Sequence, residues 1–90
     1  MVREDLRSAS DHLRAAAVAA ADSEHEERLY DQSDTLAELA TADNGPDHGR
    51  LARIQQKLAG IASEANDDAA ANIQDAKDSI RDYRETVEGV

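Results

Sequence analysis

One cluster of turn residues at the middle of the chain, Asp43-Asn44-Gly45-Pro46-Asp47-His48-Gly49, does most to limit the fold. It holds the only proline and two of the four glycines among 90 residues. Proline lacks an N–H and clashes with the preceding helical turn, so a helix arriving here must stop. Gly45 is expected to supply a left-handed cap, and the Asp47 carboxylate to cap a helix restarting just beyond it. The chain is thereby divided into two nearly equal arms, about 4–42 and about 48–88, joined by a turn at 43–47.

Both arms carry helical periodicity. In the second, Leu51, Ile54, Leu58, Ile61 and Ala65 alternate steps of three and four, and Ala69, Ile73, Ala76, Ile80, Tyr83 and Val87 continue the stripe after one four-residue stutter. This favours one continuous helix, although Asn66-Asp67-Asp68 lies inside the stutter and could equally cap a new one. The first arm has two stripes, Leu6, Ala9, Leu13, Ala16, Ala17 and Ala20, then Leu29, Leu36 and Leu39. They are out of phase on an ideal helix, and Ser23 and Glu26 between them match a capping box. Either arm can therefore be bent or broken.

Folded about residue 45, the arms set Leu39 against Leu51, Leu36 against Ile54, Leu29 against Ile61 and Ala17 against Ile73. The expected fold is all-α, an antiparallel two-helix hairpin forming a single domain over 1–90. Two helices leave the far side of each stripe wet, so two hairpins are expected to pair into a four-helix bundle, as a homodimer or higher homo-oligomer.

Composition agrees with helix and narrows function. Half of the 36 residues behind the 40% hydrophobic fraction are alanine, and Leu, Ile and Val number only 15. The absence of cysteine excludes disulfides, zinc ribbons, Fe–S ligation and thiol chemistry. No stretch approaches the roughly 20 apolar residues of a membrane span, and the acidic start shows no secretory signal, so a cytoplasmic location and no membrane partner are expected. Twenty acids against ten bases, a net charge of −10, argue against direct nucleic-acid binding. Twelve of the acids are Asp, and only two of the bases are Lys. Self-repulsion of such a surface is relieved as salt shortens the screening length to about 3 Å at 1 M, so adaptation to a salty cytoplasm is expected.

Few residues suggest chemistry. Asp22 and His25 stand at i, i+3, the spacing of carboxylate–histidine pairs in metal-binding bundles, but the second arm offers no histidine beyond His48 at the turn. A solvated polar patch is the expected reading, and no metal or other cofactor is implied. Asp47 and His48, with Arg50 and Arg53, form the most specific local cluster. Arginines in a first helical turn oppose the helix dipole and should find acidic partners, from Asp43, Glu38 or a neighbouring subunit, and these four are read as a structural clasp on the turn. The core or interface stripe is assigned to Leu36, Leu39, Leu51, Ile54, Leu58, Ile61, Ile73, Ile80 and Tyr83. Glu24/Arg28, Arg81/Glu85 and Arg84/Glu88 are helix-surface pairs at i, i+4. No nucleophile–base–orienter set is visible, and no enzyme is expected.

In the segments 28–40, 45–53 and 83–90, above all Gly45-Pro-Asp-His-Gly-Arg-Leu-Ala-Arg53, the chain resembles a family of short acidic uncharacterised helical proteins from halophilic archaea. The resemblance implies a helical cytoplasmic protein and transfers no activity, cofactor or catalytic residue. The leading expectation is a non-catalytic helical interaction or oligomerisation protein adapted to high salt, with room for an unknown protein partner. Two alternatives stand beside it: an acidic nucleic-acid mimic occupying a basic protein groove, and a helical-bundle metal-binding protein.

Overall fold

The computed structural model describes residues 2–88 and, among them, four helices: α1 (Glu4–Ala19), α2 (Ser23–Thr41), α3 (His48–Glu64) and α4 (Asp67–Glu88). Met1, Gly89, Val90 and the Glu88 side chain, with its expected pairing to Arg84, lie outside the described residues. Each arm is thus two helices, and the bundle expected from two paired hairpins is built within one chain.

The breaks are local chemistry. In the first arm, Ala20 is extended, and Asp22 caps α2 by accepting from the backbone N–H groups of Glu24 at 2.8 Å and His25 at 3.4 Å. Asp22, and not Ser23, is the cap, because its carboxylate meets the bare N–H groups and the positive end of the helix dipole. In the second arm the continuous helix gives way at Ala65, whose ψ is 161°. Asn66 Oδ1 accepts from Ala69 N at 2.8 Å and so starts α4, while its Nδ2 donates to the Ala19 carbonyl at 2.9 Å. One amide therefore holds both breaks together. At the central turn, Asp47 accepts from Arg50 N at 2.6 Å as expected of a cap. Gly45 differs from expectation: its φ is not positive, and α2 has already ended at Thr41. Glycine suits this position because an added Cβ would lie 3.1 Å from the Tyr83 hydroxyl.

Successive helices run antiparallel. Three seams are close, α1 with α2, α1 with α4 and α3 with α4, whereas α2 and α3 barely approach. The core lies along the bundle axis and takes nearly every stripe residue. Leu6, Leu13, Leu29, Leu36, Leu51, Leu58, Ile73 and Ile80 are fully buried, with Ala9, Ala16, Ala17, Ala69 and Ala76 filling the close approaches. Leu39, Ile54 and Ile61 are buried, and Tyr83 packs at the edge, partly covered. Val87, last of the expected stripe, is 45% exposed. Four helices enclose what two would have left wet, so the stripe no longer demands a second copy.

Among the described residues, one polar pair lies in the core, joining α1 to α2. Ser10 Oγ donates to the Ser33 carbonyl at 2.8 Å, Ser33 Oγ donates to the Ser10 carbonyl at 3.0 Å, and the hydroxyls lie 3.0 Å apart. Among the described residues no buried side-chain nitrogen or oxygen lacks a partner, so the pair costs little in desolvation.

Candidate functional site

The loose seam holds a substantial concavity. Between α2 and α3 lies a cleft of about 620 Å³, lined by Arg28, Asp31 and Gln32 on one wall and by Lys57, Gly60, Ser63 and Glu64 on the other, with Ile61. One end is tied by His25 Nε2 and Glu64 Oε2, 3.4 Å apart. Stepping equally along the two antiparallel helices from that contact brings Lys57 level with Gln32, one residue from Asp31, and puts Arg50 and Arg53 on either side of the level of Glu38.

The cleft lining itself is balanced, with Arg28 and Asp31 on α2 facing Lys57 and Glu64 on α3, but the two helices differ in net charge. α3 carries Arg50, Arg53 and Lys57 against Glu64 alone, whereas α2 carries Glu24, Glu26, Glu27, Asp31, Asp34 and Glu38 against Arg28 alone. A basic helix in a chain of charge −10 is unusual, and its cations are unsatisfied. Among the described residues, Arg50, Arg53 and Lys57 have no acidic partner within 4.0 Å, and neither does the Asp31 or Glu38 side chain a basic one. Arg28 is held by Glu24 at 2.6 Å along its own helix.

Gly60 faces this cleft from the interior of α3, where glycine costs about 1 kcal/mol relative to alanine. Nothing lies within 4 Å of the position its Cβ would take, so no neighbour in the chain requires a glycine there.

The expected turn clasp forms from different partners. Asp47 caps α3, and Arg84 from α4 donates from Nε to His48 Nδ1 at 3.3 Å and from Nη1 to Gln55 Oε1 at 2.8 Å. Arg84 is thus the cation of the clasp, while Arg50 and Arg53 point away from it into solvent, both exposed. A further latch went unread in the sequence. Arg3 donates from Nη1 to the carbonyls of Leu39 at 3.1 Å and Ala42 at 2.8 Å, and its backbone N–H donates to the Ala40 carbonyl at 2.8 Å. It closes the C-terminal end of α2, where a basic residue matches the helix dipole.

Asp22 and His25 do not converge into a metal site. The Asp22 carboxylate is committed to backbone N–H groups and His25 faces Glu64. No group of three or more His, Cys, Asp or Glu placed to hold a metal ion occurs among the described residues. No described helix is long and apolar enough to cross a membrane.

Fold and surface together define an all-α, single-chain four-helix domain in which, among the described residues, the open α2–α3 seam is lined by charge. The chain matches the model of a family of unknown function, DUF7553, over residues 1–86, and it belongs to that family. No match is found among curated proteins or among solved structures.

Proposed function

We propose that this chain is a non-catalytic helical interaction domain of a salty cytoplasm, which works by association with its own kind or with another protein. The observation that carries the reading is the α2–α3 seam. Elsewhere the helices meet closely and the core contains no titratable side chain among the described residues, whereas here a charged cleft is left open with Lys57 and Asp31 lacking an ion-pair partner among those residues. Unpaired opposite charges at one exposed place are what a docking face offers, since complementarity sets partner choice and register more than it adds affinity. The salt reading rests on the −10 charge, which opposes compaction until screened. The acidic-mimic alternative fits less well, because the net-basic α3 interrupts the acidic surface such a mimic needs.

Circular dichroism from low salt to multimolar KCl tests this. Helicity and melting temperature should climb with KCl and level off once the net charge is screened. A melting temperature that stays flat or falls across that range would remove the salt half of the reading.

A further inference from the structure

We infer that the α2–α3 face is where two copies of this chain meet, about a twofold axis running along the cleft. The inference rests on the interaction reading above and names its partner. A twofold parallel to the bundle axis lays α3 of one copy over α2 of the other and keeps every residue at its own level. Whatever lies level across the cleft within one chain is then apposed between the copies. Lys57 falls within one residue of Asp31 of the partner subunit, and Arg50 and Arg53 flank Glu38 of the partner subunit. Each of these side chains lacks an ion-pair partner within its own chain among the described residues. Symmetry repeats each pairing, so the net-basic α3 of either copy rests on the net-acidic α2 of the other.

Charge also says why the occupant is a second copy. Two chains of −10 repel over most of their surfaces, and α3 is the helix on which bases outnumber acids. Contact through the α2–α3 face puts each basic helix against an acidic one and keeps the remaining acid outward. Gly60 acquires a reason as well. With nothing within 4 Å of its Cβ position, it leaves room for the backbone of α2 of the other copy to come close. A face of two helices is small for a stable interface, so the dimer is expected to be weak, with Kd on the order of micromolar to millimolar.

The test is light scattering on a sizing column over a concentration series, at the lowest KCl concentration at which dichroism shows the chain helical, where charge contacts are least screened. The native chain should pass from the 9.7 kDa monomer to twice that mass as concentration rises. Lys57→Glu and Asp31→Lys should each weaken association about tenfold, because reversal turns two symmetric attractions into repulsions. The double variant, with the charges exchanged, should recover it. Gly60→Leu should abolish the dimer while keeping the helicity. A native chain that stays monomeric to millimolar concentration overturns the inference, as does a dimer indifferent to the single reversals or a double variant that fails to recover. A helical monomer would still leave the salt reading intact, since that is judged by dichroism and not by mass.

Discussion

Replacing Asn66 with alanine tests how much of this architecture hangs on one side chain. Its Oδ1 accepts from Ala69 N at 2.8 Å, and loss of such an N-cap costs about 1 kcal/mol. Its Nδ2 donates to the Ala19 carbonyl at 2.9 Å across 47 positions of sequence, and an exposed hydrogen bond of this kind contributes about 0.5–1 kcal/mol net. The two terms share no atoms, so Asn66→Ala should lose about 1.5–2 kcal/mol. For a domain of this size that lowers the melting temperature by about 10 °C. Urea denaturation followed by dichroism at 222 nm measures the loss, and Asn66→Asp separates its parts. Aspartate keeps the cap acceptor and adds a charge suited to a helix start, but it cannot donate to Ala19, so it should show less than half of the alanine effect. A loss for Asn66→Ala below about 0.5 kcal/mol, the ordinary range for an uninvolved surface position, would refute the reasoning and show that packing alone breaks the second arm.

Other perturbations follow from the same geometry. Leu58→Ala removes a fully buried side chain and should cost about 3 kcal/mol in a denaturant titration, whereas truncating Val18, 77% exposed, should change stability by under about 0.5 kcal/mol. Gly60→Ala, measured in dilute solution where the chain is monomeric, should raise stability by about 0.5–1 kcal/mol, because the new methyl meets nothing and the helix gains propensity. Arg84→Ala releases both His48 and Gln55 and should cost about 1 kcal/mol or slightly more; no change in the urea midpoint would mean that Asp47 and Pro46 hold the turn without the clasp.

The core was legible because it is written in spacing. Leu51, Ile54, Leu58 and Ile61 recur at helical intervals and are buried together, as are Leu6, Ala9 and Leu13. The out-of-phase stripes of the first arm likewise marked a real break. What spacing could not weigh was the second break, because a stutter and a cap leave the same gap between Ala65 and Ala69. The choice is made by the Asn66 amide, whose second partner, Ala19, is remote in sequence. Ser33 shows the opposite error. It stands four residues after Leu29 and three before Leu36, on the buried stripe, yet its hydroxyl hides it from a pattern that counts only apolar residues. The open cleft was not legible at all, since a seam is a relation between two helices. Its trace in the sequence, arginines expected to find acidic neighbours near the turn, led instead to a clasp they do not form.

The order of the seams bears on how the chain reaches this state. The turn at 43–47 links α2 to α3 across the loosest seam, while α1 and α4, far apart in sequence, share one of the close ones. Connectivity and cohesion are therefore out of step, and the contact that unites the two halves must close the longest loop. A permuted chain in which a short linker joins the end of α4 to the start of α1, with new ends opened within 43–47, would make every close seam local. Such a rearrangement lowers contact order without touching a core residue, so it should speed folding while leaving the bundle itself unchanged.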